Sequence, residues 1–358
     1  MHDPEQKQSE QLDWLLGKLR VVHDAMRDKL LIAFENHGEG VLATMDDQAA
    51  ASEAGAGDIV FPIDRVSEEE LIEMLSREVA SEVPIVVVCE GLPGDGVIAL
   101  PAGTSEEEAV WRIIVDPIDG TRGLMYQKRP GWILTGVAPN QGDKTSLADI
   151  ELALMTEIPL LKQHLGDQLW ALRGGGAHGV RVDRLSGQAR TLAIRPSQAT
   201  TIRQGFATVC RFFPGVRDVL AAIDDELIAR LLGPQPVCGE GGDEARAFED
   251  QYACTGGQIY GLATGQDRFV ADLRPLMQPI ADERQQGLGH CCHPYDICTA
   301  LIAQEAGVVL NDPRGGELNV PLDTTTKVAW VGYANKKLYE TMEPELKAIL
   351  RERGLIKE

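Results

Sequence analysis

The sequence predicts a mixed α/β protein, with a strand-rich α+β first lobe over residues 1–198 and an alternating α/β second lobe over 199–358. Three observations carry this. The N-terminal stretch places apolar residues at helical spacing, the middle holds short apolar runs bounded by turn residues, and the C-terminal half alternates such runs with helical segments. At 358 residues and 44% hydrophobic content the chain can bury a sizeable core.

Leu12, Leu15, Leu16, Leu19, Val22, Met26 and Leu30 form the first helical stripe, with Gly38 as its stop. The Ala/Asp/Gly-rich run from Ala43 to Asp58 reads as a loop. A second helix opens at Ser67 with Glu70 in capping-box spacing and buries Leu71, Leu75 and Val79. Strands are expected at Pro84–Val88, Trp111–Val115, Trp132–Ala138 and Glu151–Met155, with Leu92–Glu108 an exposed excursion between the first two. A glycine turn at 174–176 separates Gln168–Leu172 from later strand-like residues, notably Arg190–Ile194. The second lobe reads as strand Phe206–Cys210, helices Val216–Leu232 and Gln251–Leu262, and strand Asp267–Asp272. Helix Ile297–Ala306 ends at Gly307, strands Val308–Leu310 and Lys327–Gly332 follow, and helix Lys336–Leu350 closes the chain.

The formal charge of −21 argues against a nucleic-acid partner, which needs a basic face. No apolar run reaches the roughly 20 residues of a membrane span, and the first residues lack a secretory pattern, so a cytoplasmic protein is expected. Seven cysteines, an odd number in a long chain, point to reduced thiols.

The sharpest local signal is Val115-Asp116-Pro117-Ile118-Asp119-Gly120-Thr121, in which an apolar strand ends in one carboxylate and a second follows three residues later. Carboxylate and carbonyl oxygens are the hard ligands Mg²⁺ prefers, and backbone N–H groups after Gly120 suit a phosphate. Taken locally, an acidic turn after a strand is an equally good reading. Far downstream stand Tyr295-Asp296-Ile297-Cys298-Thr299-Ala300 and Glu305-Ala306-Gly307.

Together these two stretches resemble the signatures of the inositol monophosphatase family. That family belongs to the lithium-sensitive, Mg²⁺-dependent phosphatases, which include fructose-1,6-bisphosphatase and the bisphosphate nucleotidases. Glu90 matches the first residue of the family's glutamate pair, Asp64 its earlier aspartate, and Trp170…Arg173-Gly174-Gly175-Gly176-Ala177 its strand-turn stretch. Ala263-Thr264-Gly265 precedes a strand ending in Asp272, as in the family.

The resemblance implies a layered αβαβα sandwich of the sugar-phosphatase type and a phosphomonoesterase acting on a small polyol or sugar phosphate. Two or three Mg²⁺ ions are implied, held by Glu90, Asp116, the Ile118 carbonyl, Asp119 and Asp296, with Asp64 sharing the third. Asp64, Thr121 and Glu90 would serve the attacking water, the Gly120 and Thr121 amides the phosphate, and Asp119 and Asp272 the substrate hydroxyls. Lithium inhibition and a homodimer are implied too. Activity on a nucleoside or sugar bisphosphate is the alternative within the same chemistry, with Arg122, Arg129 and Arg211 as candidates for a second phosphate. A catalytically idle binding protein is the alternative from another class.

This chain departs from the family at three places. Gly91 stands where the family has its second glutamate, Tyr295 where it has tryptophan, and Ala253-Cys254-Thr255 where inositol-specific members carry a Gly-Ser/Thr-Ala stretch. The run His290-Cys291-Cys292-His293 holds zinc-type ligands in a spacing that fits no usual zinc pattern, because four consecutive residues cannot easily surround one ion.

Overall fold

The computed structural model describes residues 4–37, 62–234 and 244–357, and within them the side chains of 4–6, 37 and 62–67 lie outside the description. Gly38 and the loop expected over Ala43–Asp58 fall outside the described residues.

Five layers stack in the order helix, sheet, helix, sheet, helix. Outermost are α1 (Pro4–His37) and α2 (Pro62–Leu75), the latter running into a π-helical turn, Ser76–Ala80. They cover an eight-stranded sheet of order β2-β1-β3-β4-β5-β6-β7-β8. Its strands are β1 (Ile85–Cys89), β2 (Val97–Leu100), β3 (Trp111–Asp119), β4 (Gly131–Pro139), β5 (Leu152–Ile158), β6 (Leu165–Leu172), β7 (Ala177–Asp183) and β8 (Ala189–Thr191). A five-residue helix, α3 (Thr121–Met125), follows β3.

The second sheet has the order β11-β12-β10-β9, from β9 (Phe206–Val209), β10 (Asp267–Asp272), β11 (Val309–Asn311) and β12 (Trp330–Tyr333). Helix α4 (Arg217–Leu232) precedes α5 (Thr255–Thr264), and α6 (Gln278–Glu283), α7 (Pro294–Ile297), α8 (Ala300–Ala306) and α9 (Lys336–Glu352) follow. Helices α5, α7 and α8 lie between the two sheets, while α4 and α9 pack together on the far side of the second.

Both faces of the large sheet are covered, which is why its central strands read as unbroken apolar runs. Ile113 and Val115 of β3 point to the leucines of α1, and Ile114 between them points to the inter-sheet core.

Several boundaries differ from the sequence expectation. Helix α2 begins at Pro62, not Ser67, with a proline in its first turn, where the missing N–H costs nothing. The excursion after β1 contains β2, which pairs antiparallel with β1. The helix expected from Gln251 starts only at Thr255, with Cys254 extended as its cap, and that expected from Ile297 is split into α7 and α8.

One buried polar contact ties α1 to the sheet. His23 is fully buried, with Nδ1 2.9 Å from Thr156 Oγ1 and Nε2 2.8 Å from Thr135 Oγ1. Burial, aided by the Arg27 charge, lowers its pKa from 6.5 to about 3. The folded state therefore holds His23 neutral. Its contribution is complete above pH 6.5 and is lost as pH falls toward about 3, an effect on the order of 5 kcal/mol. We expect the stability gap between the parent and His23→Gln, measured by urea unfolding, to narrow across that window. A gap independent of pH would reject this account.

Candidate metal centre and active site

Strand pairing brings the acids together. Strands β1 and β3 run parallel with Cys89 opposite Val115, so Glu90, just past the end of β1, comes beside Asp116 of β3. Strand β3 continues to Asp119 instead of ending at Asp116. Its pairing with β4 shifts between those two residues, where Pro117 lacks a ladder N–H. Both aspartates are thus carried on a buried, stiff segment.

Asp296 arrives from the middle layer. Helix α7 packs on β3 and β4, and the chain just beyond it comes so close that a Cβ on Gly136 would lie 2.9 Å from the Cys298 carbonyl oxygen. The side chain of Asp296 accepts the His293 N–H at 2.6 Å, fixing the start of α7.

The outcome is a buried triad in which carboxylate oxygens of Asp116, Asp119 and Asp296 lie within 4.8 Å of one another. Burial, followed by the charges of Asp119, Asp296 and Glu90, pushes the Asp116 carboxyl well above its ordinary pKa. Asp119 is raised to about 7, by burial first and then by Asp296. At such separations two like charges repel by about 4 kcal/mol at an effective dielectric near 20. A divalent cation reverses that sign, and this set of hard oxygen donors fits one.

Asp119 is held from behind. Its Oδ2 accepts the Gly256 N–H at 2.5 Å and the Cys254 thiol at 3.3 Å, at the start of α5. Burial pushes the Cys254 thiol far up, so it stays protonated and donates. Gly256 permits the approach, since a Cβ there would sit 3.0 Å from Asp119 Oδ2 and 2.7 Å from Leu134. The Gly120 backbone is left-handed (φ +82) and closely faced by Cys254, so it turns the chain from β3 into α3.

The other expected site residues are placed as follows. Asp116 Oδ1 accepts the Ile118 N–H at 3.0 Å, and the Ile118 carbonyl accepts the Thr121 hydroxyl at 2.7 Å. Glu90 is exposed just beyond β1, within electrostatic reach of Asp116 but not in the close triad. Asp64 lies in the first turn of α2, and its side chain is outside the described residues. Asp272 is buried at the end of β10 with both oxygens engaged by Arg274, Oδ1 at 2.8 Å and Oδ2 at 2.5 Å. It is not brought to the triad. A cavity of about 600 Å³ lined by Arg129, Trp132, Glu157, Asp167 and Tyr260 contains none of the expected metal ligands.

Two features were not found from the sequence. The first concerns Gly91, which has φ +84, and a Cβ built on it would lie 1.8 Å from Glu68 Oε1. The carboxylate of Glu68, from α2, occupies the space that a side chain at 91 would enter. A glutamate nearly two turns into α2 carries no signal of this; the glycine beside Glu90 did. The second concerns Tyr295. It is buried, its hydroxyl lies 3.2 Å from His293 Nδ1, and it also hydrogen-bonds with Glu90. The tyrosine at 295 is thus no neutral departure from tryptophan, because its hydroxyl contacts both His293 and Glu90.

Neither protein-family models nor curated protein sequences give a match. Solved structures do. Fructose-1,6-bisphosphatase from Leishmania major, in holo form, aligns with a TM-score of 0.61 at 14% identity, over 95% of this chain and 94% of that one. The extragenic suppressor protein SuhB from Bartonella henselae aligns with a TM-score of 0.53 at 17% identity, over 83% and 87%. The chain has the sugar-phosphatase fold. The layered sandwich expected from the motifs is the one observed. At these identities the likeness is one of fold, and what the site does rests on its own residues. No helix among the described residues is long and apolar enough to cross a membrane. The six described cysteines are buried and unpaired.

Proposed function

We propose that the chain is a magnesium-dependent phosphomonoesterase acting on a small polyol or sugar phosphate. The observation that carries this is the buried triad of Asp116, Asp119 and Asp296 at the end of β3, with Glu90 on the neighbouring strand end. Glu90, Asp116, Asp119, the Ile118 carbonyl and Asp296 would hold two or three Mg²⁺ ions. Bound there, Mg²⁺ would supply charge neutralisation for the ester oxygens and make a water acidic enough to attack.

The chain's own groups do the rest. Asp119 is oriented by the start of α5, so its position is set before substrate arrives. Thr121, anchored on the Ile118 carbonyl, orients the water together with Asp64, and the water attacks phosphorus in line with the leaving oxygen. The Gly120 and Thr121 amides face the phosphate. Glu68 supplies the acid that Gly91 lacks, across the turn from Glu90. Residue 198 divides the donors: Glu90, Asp116 and Asp119 come before it and Asp296 after, so the substrate sits between the two parts.

A monoester is favoured over a bisphosphate by the engagement of two candidate arginines. Arg129 pairs with Asp250 at 2.6 Å, and Arg211 pairs with Asp224 and Glu249. With Asp272 committed to Arg274, recognition of substrate hydroxyls falls to Asp119 and its neighbours.

The test is phosphate release from inositol, sugar, nucleotide and bisphosphate esters, with Mg²⁺ and with chelator. Chelator-sensitive turnover of one ester class is expected. Silence across the panel despite Mg²⁺ binding by calorimetry would favour the idle-binder reading. Lithium should inhibit, and insensitivity at high lithium would count against a third cation position near Glu90.

A further inference from the structure

We propose that His290, His293 and Asp296 form a second metal subsite, bearing nitrogen ligands, that takes a borderline divalent cation such as Zn²⁺ and shares Asp296 with the carboxylate triad. The run His290-Cys291-Cys292-His293 splits by face. Cys291 and Cys292 turn into the core, each 1% exposed, while the two imidazoles turn out toward Asp296. One ligand atom from each histidine and one oxygen of Asp296 all lie within 4.8 Å. The third ligand comes from beyond the run, so the spacing that matters is 290, 293 and 296.

The distances suit a nitrogen-binding ion. His290 Nε2 lies 3.9 Å and His293 Nδ1 3.7 Å from Asp296 Oδ2. Bonds of about 2.0–2.1 Å in a tetrahedral site put ligand atoms about 3.3 Å apart, so each histidine must approach Asp296 by about half an ångström, and all three ligand atoms already lie within 4.8 Å of one another. Imidazole nitrogen suits Zn²⁺ and its neighbours, whereas Mg²⁺ selects oxygen. The triad and this trio would therefore sort cations by softness across one shared carboxylate.

The supports are built in. The His293 ring stacks on Tyr295, with centroids 5.3 Å apart and planes 11° apart, and the His290 ring lies 4.9 Å from the His293 ring; His293 Nδ1 faces the Tyr295 hydroxyl at 3.2 Å and would exchange that hydrogen bond for the ion. The His290 carbonyl is gripped by the buried Arg274, itself locked to Asp272, and the Cys292 carbonyl accepts the Val328 N–H at 2.8 Å. Asp272 would thus act at a distance, holding the segment that presents the imidazoles. Relative exposures of 33% for His290, 13% for His293 and 9% for Asp296 leave an entry path from the His290 side.

Cobalt(II) titration of the full chain tests this without reference to turnover. Two readouts are used: the visible ligand-field spectrum, and nitrogen hyperfine coupling on the bound ion. Zn²⁺ affinity is measured in parallel against a chromophoric chelator. The expected result is one Co²⁺ with imidazole nitrogen coupling, displaced by Zn²⁺. His290→Ala and His293→Ala should each lower Zn²⁺ affinity by at least about 100-fold, while Asp116→Asn keeps the nitrogen coupling. A parent spectrum without nitrogen coupling would overturn the subsite, and that reading needs no variant to fold. So would a thiolate-to-cobalt charge-transfer band, which would assign the cysteines. A double histidine variant that keeps Co²⁺ but loses inorganic phosphate would also overturn it and give the pair to the substrate anion. If the subsite holds and no ester is turned over, the phosphatase reading fails alone.

Discussion

Asp116→Asn is expected to abolish Mg²⁺-dependent phosphate release while leaving the melting temperature in chelator unchanged or raised. The two halves follow from one fact. Asp116 is buried against Asp119, Asp296 and Glu90, and its carboxyl is pushed well above the ordinary range by burial and those charges. In the absence of a cation its charge opposes folding, and asparagine removes that charge at nearly constant volume. The Ile118 N–H that Asp116 accepts at 3.0 Å keeps a partner in the amide oxygen. With Mg²⁺ present the balance should invert, since a shared carboxylate would be lost from the centre proposed to stabilise the transition state. A loss of three orders of magnitude or more corresponds to about 4 kcal/mol of that stabilisation. Phosphate release by the variant within tenfold of the parent would remove Asp116 from the site. A melting temperature well below the parent's in chelator would show instead that the carboxylate serves the fold.

How far the sequence alone reached can be traced residue by residue. The central strands were readable because burial on both faces leaves them apolar throughout, and the register of β1 against β3 then sets Glu90 beside Asp116. Asp116, Asp119 and Asp296, the three acids brought together, sit in the two motifs that carried the resemblance. Strand β2 was hidden because its turn-rich surroundings, Leu92-Pro93-Gly94-Asp95-Gly96 before and Pro101 after, speak louder than four residues of strand. The role of Asp272 could not be read because its partner Arg274 is two residues away, and whether such a pair faces solvent or closes on itself depends on the packing of Phe212 and Phe213 over the guanidinium. The approach of His290 and His293 to Asp296 is not legible in the run, because four consecutive residues suggest no single-ion site, whereas the fold turns the two cysteines inward and leaves the histidines beside Asp296. In each case the missing information was a contact between segments, which local pattern does not contain.

Glu68 and Gly91 offer the second large effect, through a double-mutant cycle. Glu68→Ala should lower Mg²⁺ affinity about tenfold and phosphate release about 100-fold, the usual scale for losing a partner at the edge of a metal centre. Alanine favours the helical state, so α2 should not suffer. Gly91→Glu alone should be worse for the fold. Its Cβ would meet Glu68 Oε1 at 1.8 Å, so the flexible Glu68 carboxylate must swing out of its place, and the backbone there has φ +84. A non-glycine residue in that conformation costs about 1–2 kcal/mol before any clash is counted. Combined, the two changes remove the clash and return a carboxylate to the same space from the β1 side. The double variant should therefore melt above Gly91→Glu and release phosphate faster than Glu68→Ala, with only the backbone strain left over. Such sign reversal is expected of residues that compete for one position and not of independent ones. Additive losses, or a Glu68→Ala protein with the parent's Mg²⁺ affinity by calorimetry, would mean that Glu68 merely fills the space beside Gly91.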